Sequence, residues 1–227
     1  MIKVSPTAVS SLCALALLFV MLVACKTSSL PGAKMNMFQG SNAIDGANKI
    51  KQKVGVDDLR IKNLEIHEDR MQITVQDPAK PKNFDEYTYE KGEVKGPKPV
   101  QALVLGNQEL TADKLKLFGL SEINLAAVPE TCKKALERAQ IENGKCELIS
   151  VDWQVASLRL TKAEIEKKRA QEREEFTKQA RSGKLDPMAQ MRKGRELAVT
   201  WRIFLEGPHM RKDLWADEKG NIFEPTW

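Results

Sequence analysis

The chain has 227 residues, of which 42% are hydrophobic and 30% are charged. This length suffices for one larger domain or two small ones. With 36 Lys and Arg against 31 Asp and Glu, the protein is mildly basic, and the excess is too small to indicate a nucleic acid or another polyanion as its partner.

The first 24 residues have the features of an export signal. Lys3 is their one charged side chain, and an apolar run follows from about Leu12 to Ala24. That run is too short for a stable bilayer-spanning helix and suits the apolar part of a signal peptide. Residues 1–24 are therefore predicted to be a signal peptide.

The letters LVAC at residues 22–25 resemble the bacterial lipobox, whose cysteine is acylated (palmitate is one such chain) and becomes the new N-terminus. The resemblance implies that Cys25 anchors the protein to a membrane of the cell envelope. Because Lys26 rather than Asp follows, it implies the outer membrane, facing the periplasm or the surface. Each buried methylene contributes about 0.8 kcal/mol, so two or three acyl chains hold a protein firmly. Residues 25–40 are then a flexible tether; the alternative is a buried cysteine that ends a core helix.

Two cysteines are left once Cys13 has gone with the signal and Cys25 has taken lipid. Cys132 and Cys146 form an even pair in an oxidising compartment, which favours a disulfide. The spacing argues against it. If the helix that contains Cys132 ends near Glu142, this cysteine lies about 15 Å from that end, and the chain must double back to bring the Cα atoms within about 7 Å. A disulfide and a pair of thiols, with Cys132 packed on the core, both stay open.

Residues 41–100 are predicted to form a helix followed by three strands. Apolar residues recur at spacings of four, three and four from Ala43 to Val54, which indicates one helix face, and Gly55 supplies the stop. Two strands of alternating polar and apolar residues then meet at residues 67–69, and a third strand ends at a Lys-Gly turn.

The same order returns in residues 128–227. A helix with Val128, Cys132 and Ala139 on one face is predicted to end at Asn143-Gly144, and three alternating strands follow with a second Lys-Gly turn. The chain is thus predicted to be an α+β protein of two tandem αβββ units, each with its helix packed on an antiparallel sheet. Residues 101–127 are the linker, in which VQALVLG is apolar enough to add an edge strand.

Residues 161–194 form a charged insertion in the second unit. Thr161 and Glu164 have the spacing of a capping box and predict the start of a helix. Its few apolar residues are chiefly Ile165 and Phe176, so the helix is expected to project from the hairpin or to lie loosely on it. Two interpretations are open: a solvated face of salt bridges, or a docking arm for an acidic envelope partner.

The αβββ order with its closing turns, EKGEV and DEKGNIF, is similar to the PepSY-like and β-lactamase-inhibitor-like folds of secreted bacterial proteins. The resemblance implies a binding or inhibitory module of the periplasm or cell surface. It matches no position-specific functional motif, so it assigns no functional residue, and fold alone does not dictate function. The charged insertion departs from the pattern.

No catalytic, metal or cofactor site is predicted. His67 and His209 fall at turns of different units, whereas a zinc site needs three or four convergent ligands. The G-x-S-x-G elbow and the glycine-rich phosphate motifs are absent from the sequence. An enzyme would need acids such as Asp152, Asp213 or Asp217 gathered with a histidine in a cleft.

The four tryptophans all lie in the second unit. Trp153, Trp201 and Trp215 fit inward strand positions and are predicted to be core residues, with a binding platform on the sheet face as the alternative. Trp227 is the last residue.

Together these features predict a lipid-anchored envelope protein without catalytic activity, which binds a protein partner through its sheet faces or its charged helix. Neither a cofactor nor a nucleic acid is expected. A structural or assembly role in an outer-membrane complex is the alternative.

Overall fold

The protein is a mixed α+β fold, seen here in a computed structural model that describes residues 35–101, 103–105, 108–182 and 197–225. Its described residues form three α-helices and a nine-stranded antiparallel sheet. Met35–Trp227 make one compact unit. Residues 1–24 and Cys25, the predicted signal and lipid site, lie outside the described residues.

Helices α1, α2 and α3 span Asn42–Val54, Val128–Ala139 and Lys162–Arg181. The strands are β1 (Arg60–His67), β2 (Arg70–Gln76), β3 (Phe84–Glu90), β4 (Glu93–Val100), β5 (Leu103–Leu105), β6 (Gln108–Leu110), β7 (Phe118–Gly119), β8 (Lys145–Val155), β9 (Leu197–Glu206), β10 (Arg211–Ala216) and β11 (Ile222–Phe223).

The main sheet has the order β4-β3-β2-β1-β8-β9-β10-β11, and β7 pairs with the start of β1. Its centre is the antiparallel pair β1–β8, in which Leu64 lies opposite Val151 and Ile66 opposite Ile149. This pairing removes two exposed strand edges. The segment VQALVLG, predicted to add an edge strand, contributes Val100 to the end of the edge strand β4 and Leu103–Leu105 to β5, which pairs with β6 in a hairpin of its own.

One continuous core lies between the sheet and the two helices α1 and α2. Helix α1 contacts β2, β3 and β4, whereas α2 contacts β8, β9, β10 and β11. The predicted alternation is confirmed, since every second residue of the central strands points into this core. Fully buried examples are Leu64, Ile66, Met71, Ile73, Ile149, Val151, Trp201 and Ile203.

The two helix ends differ from each other in how well the sequence predicts them. Gly55 ends α1 in the left-handed conformation, as predicted. Helix α2 ends at Ala139, not at Asn143-Gly144, because Gln140 takes the left-handed cap with φ 53°. The chain leaves the helix there so that Ile141 packs against the core.

Two segments without a clear repeating pattern also contribute core residues. Met37 and Phe38, at the end of the segment predicted as a tether, are buried, and the Met37 N–H donates to Glu68 O at 2.7 Å. In the predicted linker, Phe118 of β7 is 1% exposed and lies opposite Ile61. The packed part of the chain therefore begins before Ser41 and continues between the two helix-and-strand segments.

The tryptophans occupy different surroundings. Trp201 is fully buried in the core, as predicted, and Trp153 is partly buried with its ring edge-to-face against Phe118. Trp215 is also buried, but it alternates with inward-pointing Leu214 and so lies on the sheet face away from α1 and α2. Trp227 lies outside the described residues.

Candidate interaction site

Helix α3 is the part of the described chain with the greatest exposure. It has 20 residues, none of them buried, and it lies in the connection between β8 and β9. The predicted capping box is confirmed: Glu164 N–H donates to Thr161 Oγ1, and Thr161 N–H donates to Glu164 Oε2 at 2.7 Å. The hydrogen bonds that the Thr161 N–H and hydroxyl donate to Glu164 Oε2 lower the pKa of the Glu164 carboxyl. The helix start is therefore stabilised locally.

Contacts within the helix supply the rest of its stability. Lys178 Nζ lies 2.7 Å from Glu174 Oε1, one turn apart, and this hydrogen bond lowers the pKa of Glu174. Such a pair contributes a few tenths of a kcal/mol, and an N-cap about 1 kcal/mol. With 20 residues the helix also exceeds the roughly 12–15 at which isolated helices become marginal.

Two shallow, open grooves lie on different sides of α3. One includes residues of the preceding connection and is lined by Ala156, Leu160, Glu164, Lys167, Lys168 and Gln171. The other is a surface of helix residues alone: Arg169, Glu172, Arg173, Phe176 and Thr177. At 3.6 residues per turn, Phe176 and Lys167 lie on opposite sides of the helix. We name the surface of the second groove the Phe176 face.

The Phe176 face combines an exposed apolar side chain with charge. Phe176 is 45% exposed. Among the described residues, Met210 is the other large apolar side chain that is exposed. Arg173 lies one turn before Phe176 and Arg169 two turns before it on the same side of the helix, with Glu172 between them. Aromatic and arginine side chains are both enriched in protein–protein interfaces, so this combination is typical of a protein-binding surface.

Arg159 fixes the short connection that leads into α3, and nothing in the sequence marked this residue out. Arg159 ends the 3-10 turn Ala156–Arg159, and its guanidinium donates to Glu218 at 2.7 Å, to Thr200 Oγ1 and to Val199 O. These partners belong to β9 and to the turn after β10. No local pattern indicates this position, because all three partners are more than thirty residues away in sequence.

The sheet face away from α1 and α2 carries a closed polar and aromatic cluster. The Arg202 guanidinium lies over the rings of Phe204 and Trp215, at 4.8 and 5.6 Å from their centres, and its Nε donates to Asp213 at 3.0 Å. The side chains of the cluster therefore contact one another. We interpret the cluster as packing that covers this sheet face, not as a binding site.

The sheet edge at β4 is unsuited to adding another strand. Lys95, Pro97, Lys98 and Pro99 follow one another along it and are exposed. Proline lacks the N–H that a ladder needs, and lysines on an edge oppose pairing. A partner strand is therefore not expected there.

The acids and histidines that a catalytic site would need lie on different strands and turns of the fold. Asp213 of β10 pairs with Arg202 of β9, and Asp217 accepts N–H bonds within its turn. His67 Nε2 lies 3.5 Å from Glu65 at the end of β1, and His209 is exposed in the turn between β9 and β10. Among the described residues no three His, Cys, Asp or Glu side chains converge as a metal site.

Asp152 is the half-buried acid of the sheet face. Burial raises the pKa of its carboxyl, opposed by a hydrogen bond from Gln154 Nε2 at 2.8 Å and by the charge of Arg202. The folded state therefore binds the proton more readily than the unfolded state. Stability contributed by this group is present below its ordinary pKa of 3.8 and is lost as pH rises through the raised value.

We therefore expect Asp152→Asn to increase the free energy of unfolding at pH 7, by less than about 1 kcal/mol because water screens a partly exposed carboxylate. Urea unfolding at pH 7 and at pH 3 measures the effect, which should shrink at the lower pH. Asp213→Asn is the matched control and should lower stability, since it weakens the pair with Arg202. A loss of stability in Asp152→Asn at pH 7 would contradict the assignment.

The two remaining cysteines are brought together. Cys132 of α2 and Cys146 of β8 are both buried, and their sulfur atoms lie 3.0 Å apart. Because α2 ends at Ala139, the chain reverses over residues 140–144 and β8 begins beneath the helix. The spacing objection depended on a longer helix and does not apply.

Comparison with protein-family models, curated proteins and solved structures finds no match to this chain. None of the described helices is both long and apolar enough to cross a membrane.

Proposed function

We propose that the protein is a lipid-anchored binding protein of the cell envelope, without catalytic activity, which contacts a protein partner through the Phe176 face of α3. The observation that carries this proposal is a 20-residue helix, held by its own contacts, with no buried residue. Ordering a helix costs conformational entropy. Since α3 contributes no residue to the core, we assign its exposed face to contact with a partner.

The anchor in this proposal is acylated Cys25 in the outer membrane. The described fold begins at Met35, and roughly ten residues of chain span at most about 35 Å. A lipid on Cys25 would therefore keep the folded part, and α3 with it, close to the membrane. Partners of the envelope are the ones within reach.

We further propose that the fold is a pair of αβββ units that share one sheet, each extended by a fourth strand after its Lys-Gly turn, β4 in the first and β11 in the second. The buried faces of the two helices have the same spacing of four and three residues: Ala43, Ala47 and Ile50 in α1, and Val128, Cys132 and Ala135 in α2. In each segment the helix is followed by strands that are neighbours in the order of the chain.

The strand irregularities support the same proposal. A bulge interrupts β1 between Ile61 and Asn63, and another interrupts β8 between Cys146 and Leu148. Counted from Ala43 and Val128, the two bulges lie at the same distance along the chain. The pattern fits the resemblance to PepSY-like and β-lactamase-inhibitor-like units, which are binding modules, with α3 as an insertion in the second unit.

The Phe176 face favours a particular kind of partner surface. An exposed aromatic ring is suited to fill an apolar pocket, and Arg169 and Arg173 beside it favour acidic residues at the rim of that pocket. The partner is accordingly expected to present an apolar depression bordered by carboxylates. Its affinity should fall with rising salt.

The test compares full-length variants, affinity-purified from detergent extracts of the native envelope. Residues 161–194 are replaced by a short turn in one variant, and Phe176→Ala is made in another. We expect the same co-purifying protein to fall at least about tenfold in both, which corresponds to the loss of a hot-spot residue. Thermal unfolding of Phe176→Ala should be nearly unchanged, because Phe176 is 45% exposed.

Lys167→Ala is the matched control, since Lys167 lies on the opposite side of the same helix. It should retain the partner. If all variants co-purify with the same proteins, α3 has no part in binding and the proposal is wrong. A stoichiometric complex that survives purification would instead favour the structural or assembly role.

A further inference from the structure

The buried thiol pair lies where helix α2 packs on the start of strand β8. Cys132 is the fifth residue of α2 and points at the sheet, and Cys146 is the second residue of β8. They are 5% and 7% exposed, and their sulfur atoms share a hydrogen bond at 3.0 Å. A disulfide needs the sulfurs about 1 Å closer.

The surroundings allow that approach. Cys146 stands at the bulge of β8, where the register against β9 shifts before Leu148. A bulge leaves one residue outside the ladder and gives the strand local freedom. On the helix side, Cys132 is one turn before Ala135, a small residue that is fully buried.

We propose that Cys132 and Cys146 form an intramolecular disulfide in the exported protein, which ties α2 to β8. The bond goes beyond the proposed binding function, although the oxidising surroundings that it needs follow from the proposed location. The bond forms by thiol–disulfide exchange with a donor that itself contains a disulfide. The two thiols lose two protons and two electrons, the new S–S bond forms, and the donor disulfide is reduced to two thiols.

The time of formation follows from burial. The hydrogen bond with Cys132 and burial among apolar side chains raise the pKa of the Cys146 thiol far above its ordinary value. Since the thiolate is the reactive form, the packed pair exchanges slowly with any donor. The bond therefore forms while the chain is folding, before α2 has closed over β8, and once formed it resists reductants.

The direct test is a peptide map of the full-length protein from the membrane fraction. Free thiols are alkylated with N-ethylmaleimide under denaturing, non-reducing conditions before digestion with trypsin. We expect the peptide 117–133, which holds Cys132, to be joined to the peptide 146–159, which holds Cys146, with two hydrogens fewer than their sum. Recovery of both peptides in alkylated, unjoined form would overturn the proposal.

A refolding experiment separates the geometry of the pair from the location of the protein. The purified full-length chain is unfolded in a denaturant that contains a reductant. It is then refolded in a mixture of reduced and oxidised glutathione. Linked peptides after refolding, together with unlinked peptides in the membrane fraction, would show that the location is wrong. Unlinked peptides in both would show that the geometry is wrong. Either result overturns the disulfide in the exported protein.

A stability measurement adds a second readout. The bond closes a loop of about 15 residues, so we expect thermal unfolding to shift down by about 10 °C after reduction in denaturant and refolding with the thiols kept reduced. The double variant Cys132→Ala, Cys146→Ala should show no such shift with reductant, whatever its own stability. An equal shift in the double variant would mean that the effect does not come from this pair.

Discussion

Replacing Gly220 with alanine is expected to lower the free energy of unfolding by about 3–5 kcal/mol, whereas the same change at Gly92 should cost only about 1–2 kcal/mol. Both glycines close a Lys-Gly turn, and both have a positive φ, 86° and 87°. At either position an alanine would be forced into the left-handed backbone conformation, which costs about 1–2 kcal/mol. The difference comes from what surrounds them.

Gly220 is pressed against helix α2. A Cβ at this position would clash with Thr131 Oγ1 and lie 2.9 Å from Ala127 Cβ, whereas a Cβ on Gly92 would meet no atom within 4 Å. Thr131 is itself buried and donates its hydroxyl to Gly220 O at 3.1 Å. At Gly92 the corresponding carbonyl accepts from Lys49 Nζ, a long and exposed side chain that can move.

Denaturant and thermal unfolding of the two single variants measure the difference directly. The midpoint of Gly220→Ala should fall by about 10 °C relative to the wild type, and that of Gly92→Ala by only a few degrees. Thr131→Ala in the Gly220→Ala background should recover part of the loss, because it removes the hydroxyl that clashes. Equal losses at the two glycines would show that α2 does not rest on this turn.

The variant Cys25→Ser is expected to leave the membrane fraction almost completely. A serine cannot form the thioether that carries the lipid, and each buried methylene of the lost acyl chains would have contributed about 0.8 kcal/mol to membrane binding. Fractionation of cells followed by the mass of the N-terminal peptide checks the result. The wild-type peptide should begin at Cys25 and carry diacylglycerol.

Cys13→Ser is the control for this change. Cys13 lies in the predicted signal peptide, outside the lipobox-like residues, so this variant should stay in the membrane fraction with an unchanged mature mass. A Cys25→Ser protein that remained acylated in the same fraction would remove the anchor, and with it the proposed location.

Local signals in the sequence predicted much of the candidate site. The capping box of Thr161 and Glu164 was predicted because its partners lie within one turn of helix and are set by spacing. The ion pair of Glu174 with Lys178 follows the same rule of spacing. The scarcity of apolar residues likewise predicted an exposed helix. The orientation of Phe176 away from the connection before α3, and the anchoring of that connection by Arg159, depend on distant elements and were not predictable.

The end of α2 shows how a local rule can be overruled. Asn143-Gly144 is the stronger stop signal by residue type, yet Gln140 takes the left-handed cap. The free energy of placing Ile141 on the core outweighs the roughly 1 kcal/mol of an unfavourable cap residue. The same early stop is what brings Cys146 back beneath Cys132.

The sequence by itself determined the helices, the alternating strands and the Lys-Gly turns, because each depends on contacts between residues close along the chain. Only the tertiary structure decided that β1 pairs with β8, that Met37 and Phe118 belong to the core, and that two cysteines meet. Those outcomes depend on which apolar faces can be buried together. That is a property of the whole chain, since any one strand pairs equally well by pattern with several others.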